Sequence, residues 1–246
     1  MIFGVMPVGP FQANCYLLGC PDTHEALVID PGDNSEQIEA WLSEQQLTPV
    51  AYLHTHGHID HVGATAPLKA RFDGKILLHR ADLFLYEHAH VQALSYGFQV
   101  PRTVSVDRFI DDGEEITWGQ ARGRILHTPG HSPGGVCLHV AAEVMGPMSD
   151  VLDDSAMGDQ RADRRAPSPG EAERAGGADW VFTGDTLFMG SIGRTDLPGG
   201  SHAELLSVIH AKLLPLADAT VVASGHGPLT TIGRERRMNP FLQGGG

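Results

Sequence analysis

Cysteine is scarce in this sequence, which contains three cysteines among 246 residues. An odd number of cysteines without the spacing of a disulfide framework indicates reduced and mostly buried thiols. This pattern argues against a secreted fold held by disulfides, and it gives no sign of a cysteine nucleophile. We therefore expect a protein of the cytoplasm.

Long apolar runs and basic residues are also few. The N-terminal stretch MIFGVMPVGPFQANCYLLG lacks a basic leader region, is interrupted by Pro7 and Pro10, and contains no run long enough to cross a bilayer. The 17 Lys and Arg residues are outnumbered by 30 Asp and Glu, for a formal net charge of −13. Because surfaces that bind nucleic acid carry a basic stripe, we expect neither a membrane nor a nucleic acid as partner.

The length suits one large α/β domain, and we expect a single domain over residues 1–246. Apolar runs typical of strands, such as 26–29 and 50–53, alternate with helical patterns such as 35–46, as in layered α/β folds. Residues 143–178 differ, because they contain no aromatic residue and are rich in Asp, Glu, Arg, Gly, Pro and Ala. Such a stretch buries too little apolar surface to offset its ordering entropy, so we predict a mobile, disordered insertion.

The most informative stretch is the HxHxDH run formed by His56, His58, Asp60 and His61, which follows an apolar strand. Imidazoles with a carboxylate suit Zn²⁺, Fe²⁺ or Mn²⁺ better than Ca²⁺ or Mg²⁺, which prefer oxygen ligands. A structural zinc site is the alternative, but such sites are closed and usually use thiolates, and the three cysteines are not spaced to complete one. The run therefore predicts an open, reactive metal centre of a hydrolase.

Three further candidate ligands stand in turns that follow apolar runs. They are His131 in HTPGHSPGG, Asp185 in VFTGDTLF and His226 in VVASGHGP, and each is directly preceded by glycine. Glycine permits a tight turn and a close approach of the backbone, which suits side chains that converge on one ion from several strands. Any one of them alone would be read as a polar turn residue.

Taken together, these seven residues resemble the signature of the metallo-β-lactamase fold superfamily. The resemblance implies an αββα sandwich with two metal ions at one edge of its sheets. It implies that counterparts of His56, His58 and His131 hold one ion and that counterparts of Asp60, His61 and His226 hold the other. Asp185 would bridge the two ions.

Two blocks, GSIGRTDLPGG (190–200) and GHGPLTTIGRERRMNPFLQ (225–243), resemble the short bacterial type II glyoxalases, or hydroxyacylglutathione hydrolases. The resemblance implies hydrolysis of a thioester such as S-lactoylglutathione. Two divalent ions, with zinc as the first candidate and iron or manganese as alternatives, would share a water and lower its pKa, so that a bridging hydroxide attacks the carbonyl. Asp60 would serve both as a ligand and as a proton acceptor.

Two supporting roles complete the prediction. Asp30 in VIDPG resembles the aspartate that supports the metal-binding loop in this family, and we expect it to align a histidine rather than to bind metal. Arg194 in GRTD could bind an anionic carboxylate of glutathione, or it could form a salt bridge with Asp196. The longer relatives have an added C-terminal helical region for glutathione, which this chain lacks, so the thiol carrier stays open.

For five further polar residues, the sequence favours a structural or solvent-exposed role over a place in the site. The C-terminal arginines, Arg234, Arg236 and Arg237, could contribute to glutathione binding, but a solvated basic turn is favoured. We expect His54 and His127, which border the predicted ligand loops, to be satisfied by structural hydrogen bonds.

Three alternative functions remain. A persulfide dioxygenase of the same fold would use one iron held by counterparts of His56, His131 and Asp185. A non-catalytic metal-binding module would show lost ligands or a blocked cleft, and all seven positions are filled here. A lactamase is disfavoured by the lack of a secretory signal, and the sequence leaves the oligomeric state open.

Overall fold

Two six-stranded β-sheets form the centre of the fold, and the computed structural model describes residues 1–146 and 177–243. The first sheet contains β1 to β6 in chain order, with bounds Ile2–Val8, Ala13–Gly19, Glu25–Ile29, Thr48–Leu53, Lys75–His79 and Arg108–Ile110. Strands β1 to β3 pair antiparallel, whereas β3 to β6 pair parallel. The carboxyl ends of β3, β4 and β5 therefore meet at one edge of this sheet.

The second sheet is built by the C-terminal half. Its strands are β7 to β10 and β13 to β14, with bounds Glu115–Trp118, Ala121–His127, Val136–Val140, Trp180–Gly184, Val221–Ser224 and Thr230–Thr231. Their spatial order is β14-β13-β10-β9-β8-β7, and a separate small hairpin joins β11 (Leu187–Phe188) to β12 (Ser191–Ile192). Because β10 and β13 are parallel, the segments that follow them lie side by side.

The two sheets pack face to face through a shared apolar core. Tyr16 and Leu53 from the first sheet meet Ile125, Leu138 and Phe182 from the second in one buried cluster. Strand β8 shows the pattern that produces this packing, because its buried and exposed residues alternate along the strand. Alternation with a period of two places one face of a strand against the core and the other towards solvent.

Helices cover the outer faces of both sheets. They are α1 to α8, with bounds Ser35–Glu44, Ile59–Val62, Thr65–Arg71, Leu83–Glu87, Ala89–Ser95, Ala142–Met145, His202–Val208 and Ile232–Met238. Ile38 and Leu42 of α1 pack on the outer face of the first sheet, and Leu205 and Ile232 of α7 and α8 pack on that of the second. The four layers confirm the predicted αββα sandwich. No helix in the described ranges is long and apolar enough to span a bilayer.

The predicted insertion, 143–178, falls largely outside the described residues, because 147–176 are not among them. Both of its ends are described, and they correct its boundaries. Helix α6 extends to Met145, and the side chains of Met145 and Ala178 are buried in the core between the sheets. These ends belong to the folded layers because each buries an apolar side chain there.

We predict that Leu138→Ala lowers the free energy of unfolding by about 2–5 kcal/mol, because it leaves a cavity between the two sheets. The matched control is Leu94→Ala, since Leu94 on α5 is 59% exposed. We expect the control to change stability by less than about 0.5 kcal/mol. Urea titrations of both variants measure the difference, and equal losses would contradict the inter-sheet core.

Candidate metal centre

All seven predicted ligand residues come together at one edge of the sandwich. His56 and His58 lie in the segment after β4, and Asp60 and His61 lie in the short helix α2. The other three lie in loops of the second sheet: His131 between β8 and β9, Asp185 after β10 and His226 after β13. Both sheets thus contribute side chains to a single site.

One group within this site consists of imidazoles alone. His56, His58 and His131 each present a ring nitrogen, and these three nitrogens lie within 4.8 Å of one another. Nδ1 of His58 is 3.0 Å from Nε2 of His131. Three buried imidazoles at such distances can hold one metal ion.

A second group combines one carboxylate with two imidazoles. Asp60, His61 and His226 also offer ligand atoms within 4.8 Å of one another. Oδ2 of Asp60 lies 3.2 Å from Nε2 of His226 and 3.6 Å from Nε2 of His61. This group can hold a second ion.

The Asp185 carboxylate lies between the two groups. Its Oδ1 is 3.5 Å from Nε2 of His61, and its Oδ2 is 3.7 Å from Nε2 of both His131 and His226. One carboxylate oxygen of Asp185 therefore faces a histidine of each group. This is the position that a bridging ligand requires.

Several polar atoms of the site are buried without a partner. Nε2 of His56, Nε2 of His61 and Oδ1 of Asp185 form no hydrogen bond with any described residue. An unsatisfied buried polar atom costs about 1–3 kcal/mol, and such atoms are rare in folded proteins. Coordination of a metal ion would satisfy all three, so the residues present fit a metal centre.

The pKa values of two histidines in the three-histidine group suit the same role. Burial, reinforced by neighbouring imidazoles, lowers the pKa of His56 well below its ordinary value. Burial and His131 lower the pKa of His58 to about 3. Both rings are therefore neutral at pH 7, which is the form that binds metal.

The carboxylates give the second group a negative potential. Burial acts to lower the pKa of His61, but the carboxylates of Asp60, Asp185 and Asp30 raise it overall to about 10. Burial acts to raise the pKa of Asp60, but His61 and His226 hold it below its ordinary value. Negative charge concentrated around one imidazole attracts a cation to this position.

Asp30 orients two of the histidines. It accepts hydrogen bonds from the backbone N–H of Thr55 at 2.7 Å, from the Thr55 hydroxyl at 2.6 Å and from Nδ1 of His61 at 3.0 Å. The Thr55 hydroxyl in turn lies 3.1 Å from Nδ1 of His56. Because these contacts occupy the Asp30 oxygens and leave both Nε2 atoms facing the site, they favour the supporting role over metal binding.

Arg194 forms hydrogen bonds through both its backbone carbonyl and its side chain. Its carbonyl oxygen is 2.8 Å from Nδ1 of His131, which leaves Nε2 of that ring facing the site. Arg194 is among the residues that line the metal pocket, and its guanidinium forms two hydrogen bonds with Asp196, at 2.8 and 2.7 Å. Of the two roles that the sequence left open for the Arg194 side chain, the structure shows the salt bridge with Asp196.

Glycine is required where the two sheets approach each other. A Cβ atom on Gly225 would lie 2.3 Å from Oδ1 of Asp185 and 2.8 Å from Cε1 of His61. Both distances are far shorter than any real carbon contact, so a side chain at this position would displace the ligand atoms. The glycine that precedes His226 is therefore a steric requirement of the site.

His54 and His127, which were predicted to be structural, form hydrogen bonds with atoms other than the metal-facing atoms of the seven candidate ligands. Nδ1 of His54 is 3.2 Å from the carbonyl of His61, and its Nε2 is 3.1 Å from the Thr65 hydroxyl. Nε2 of His127 is 3.0 Å from the carbonyl of Pro133. Neither ring is placed to coordinate a metal with the seven.

Asp82, which no sequence motif singled out, joins the two loops that carry the three-histidine group. This buried carboxylate accepts hydrogen bonds from the Gly57 N–H at 2.9 Å, the Ser132 hydroxyl at 2.7 Å and the Gly134 N–H. A signal was available, because Asp82 follows β5 just as the HxHxDH run follows β4, and the two strands are parallel neighbours.

Two further supporting residues, Glu235 and Asn239, lie in the C-terminal block 225–243 and were not indicated by its sequence pattern. Glu235 accepts a hydrogen bond from the Gly190 N–H at 2.7 Å, and Asn239 donates one to the Ser191 carbonyl at 2.9 Å. They lie in or just after α8, which corrects the interpretation of this stretch as a basic turn. Two of its arginines bind Asp218 rather than the site: they are Arg236 and Arg237.

A family model described as the metallo-beta-lactamase superfamily matches residues 8–145 and 172–226 of this chain. Among curated proteins, the hydroxyacylglutathione hydrolase GloC of Haemophilus influenzae is 36% identical over 240 residues, which cover 97% of this chain and 96% of that protein.

Two solved structures match at nearly full length. The BLEG-1 B3 metallo-beta-lactamase has a TM-score of 0.77 and 36% identity, with 99% of this chain and 100% of that one covered. TTHA1623 in a di-iron-bound form has a TM-score of 0.75 and 36% identity, with 97% and 99% covered. The likeness therefore includes both sheets and every loop that contributes to the site.

We predict that Asp82→Asn lowers the free energy of unfolding by about 2 kcal/mol, because an amide cannot accept all three hydrogen bonds and leaves a buried N–H unsatisfied. Asp22→Asn is the matched control, since Asp22 is exposed. Its effect should stay below about 0.5 kcal/mol. Urea unfolding measures both, and equal stability of the two variants would show that Asp82 does not hold the loops.

Proposed function

Because this chain belongs to the metallo-beta-lactamase superfamily, we propose that it is a dinuclear metallohydrolase that cleaves thioesters such as S-lactoylglutathione. The observation that carries the proposal is the pair of three-residue groups with the Asp185 carboxylate between them. A single-ion site would not require the second group. The 36% identity to GloC along nearly the full length of both chains supports the thioester as substrate.

In this proposal His56, His58 and His131 hold one ion, Asp60, His61 and His226 hold the other, and Asp185 contacts both. When bound, divalent ions polarise a carbonyl and activate water near neutral pH. We propose zinc as the first candidate, with iron or manganese as alternatives. Iron deserves the direct test because TTHA1623 was solved in a di-iron-bound form.

The protein residues position the substrate and handle protons. Asp30, Thr55 and the Arg194 carbonyl fix the ring orientations, so the site needs little reorganisation during the reaction. Oδ2 of Asp60 faces His226 and His61, and we assign its other oxygen, Oδ1, to accept a proton from the attacking water.

The overall reaction balances with water alone. Its oxygen adds to the thioester carbonyl carbon, and the carbon–sulfur bond breaks with its electron pair on sulfur. One proton of the water ends on the thiol, and the other is released as the new carboxylic acid ionises.

Arg194 is our candidate for recognition of the thiol carrier. In the described part of the chain it is the one Lys or Arg that lines the metal pocket, which has a volume of about 210 Å³. Glutathione carries two carboxylates, and a guanidinium binds a carboxylate through two parallel hydrogen bonds. A carboxylate of the substrate would replace Asp196 as the partner of Arg194.

A cytoplasmic location remains a proposal that rests on the cysteines. All three are buried free thiols: Cys15, Cys20 and Cys137. Reduced thiols are the usual state in a reducing compartment.

We predict that Asp185→Asn lowers the metal content and reduces thioester turnover by about 100-fold or more, because a neutral amide cannot bridge two cations. Elemental analysis together with release of free thiol measures both quantities. Asp22→Asn, which changes an exposed carboxylate between β2 and β3 at the opposite end of β3 from the site, should retain both. Unchanged metal content and rate in Asp185→Asn would refute the bridging role.

We predict that Arg194→Gln raises KM for S-lactoylglutathione about tenfold with kcat within about twofold, because it removes binding of the carrier rather than a contact to the reacting atoms. The lactoyl thioester of N-acetylcysteamine has no carboxylate, so its KM should not change. A comparable rise for both substrates would mean that Arg194 acts through the site geometry instead.

The same preparations separate the alternative functions. One iron per chain with oxygen uptake on glutathione persulfide would replace the hydrolase by a persulfide dioxygenase. Because BLEG-1 is a metallo-beta-lactamase, hydrolysis of a β-lactam without thioester cleavage would favour that activity. A non-catalytic module is disfavoured by the open pocket that reaches His58, His131 and His226.

A further inference from the structure

A second cavity adjoins the metal pocket. We call it the side groove, and among the residues that line it are Pro10, Phe11, Ile59, Pro67, Phe98 and Val100. Its volume is about 370 Å³, compared with about 210 Å³ for the metal pocket. Phe11, Ile59 and Asp60 line both cavities, so the side groove opens directly beside the candidate ligands.

The chemistry of the side groove differs from that of the metal pocket. Most of its lining is apolar, and the charged residues among the described residues that line it are Asp33 and Asp60. Within 1–146 and 177–243, no Lys or Arg lines the groove, whereas Arg194 lines the metal pocket. The groove therefore disfavours an anionic group and favours an apolar one.

Three aromatic side chains that line one or both cavities contact one another. The Phe11 ring meets the rings of Tyr96 and Phe98 edge to face, with centroids 5.2 and 5.8 Å apart. Phe11 and Phe98 are each 39% exposed and Tyr96 is 45% exposed. Aromatic rings clustered at the surface beside a cavity are typical of a ligand-binding site.

We propose that the side groove binds the apolar acyl chain of the thioester, so that the enzyme prefers acyl groups longer than lactoyl. This inference rests on the proposed thioester hydrolysis and specifies its acyl class. The scissile carbonyl would lie at the metal centre, the acyl chain would extend past Phe11 into the groove, and the anionic carrier would lie towards Arg194. A three-carbon lactoyl group would leave empty a groove whose volume matches sites for drug-sized ligands, about 300–1,000 Å³.

A series of glutathione thioesters tests this inference, with kcat/KM measured for lactoyl, butanoyl and hexanoyl groups. Burial of one methylene contributes about a fourfold gain, so hexanoyl should exceed butanoyl by about 15-fold. Phe98→Ala should lower the hexanoyl value about 5–10-fold and leave the lactoyl value within about twofold, because it removes part of the groove wall and no contact to the reacting carbonyl.

Phe84→Ala is the matched control, because Phe84 is 68% exposed and lines neither cavity. This variant should reproduce the wild-type dependence on chain length. Equal kcat/KM for butanoyl and hexanoyl in the wild type, or the same loss in both variants, would overturn the inference. The lactoyl rate of each variant serves as an internal check of its folding.

Failure of the proposed function gives a different result. If no thioester is cleaved, that function is wrong, and the groove is then tested by binding alone. Calorimetric Kd values of S-butylglutathione and S-hexylglutathione should differ about 15-fold on the same reasoning, and Phe98→Ala should reduce this ratio. A Kd independent of chain length would overturn the groove as an acyl site.

Discussion

The rest of the structure depends on a buried convergence of five imidazoles and two carboxylates at one edge of the sandwich. Groups of this kind lose their hydration on burial, and the inward-facing atoms of His56, His61 and Asp185 gain no protein partner in return. A cation bound among these atoms would offset that cost. The fold meets this constraint by ending parallel strands of both sheets at the same edge, so that distant segments of the chain share one site.

Three buried carboxylates form a supporting layer around this cluster. Asp30 orients His61 and, through Thr55, His56; Asp82 ties the loop of His58 to the loop of His131; Glu235 anchors the hairpin that precedes Arg194. Each accepts several hydrogen bonds from loop atoms, and charge-assisted hydrogen bonds are the stronger kind. Around the site, the positively charged Arg194 lines the metal pocket, and the adjoining side groove is mostly apolar.

The seven candidate ligands could be found from the sequence because each stands shortly after an apolar run, and four of them directly follow a glycine. Strands β3 and β4 were predicted from apolar runs of this kind. The helix α8 was missed because its three arginines suggested a solvated turn, whereas two of them, Arg236 and Arg237, bind the Leu214 carbonyl and Asp218, some 20 residues earlier in the chain. The ends of the predicted insertion were misplaced because Met145 and Ala178 acquire their burial only from the core between the sheets.

The sequence by itself determined the fold class and the identity of the side chains that converge, because strand periodicity, glycine-preceded turns and ligand type are local properties. Only the tertiary structure decided that Asp82 and Glu235 join Asp30 in supporting the site and which side of the site is apolar. The roles of Asp82 and Glu235, and the groove formed by Phe11 and Phe98, depend on contacts between segments far apart in the chain. Such contacts leave no local pattern, since each residue taken alone is an ordinary loop or helix residue.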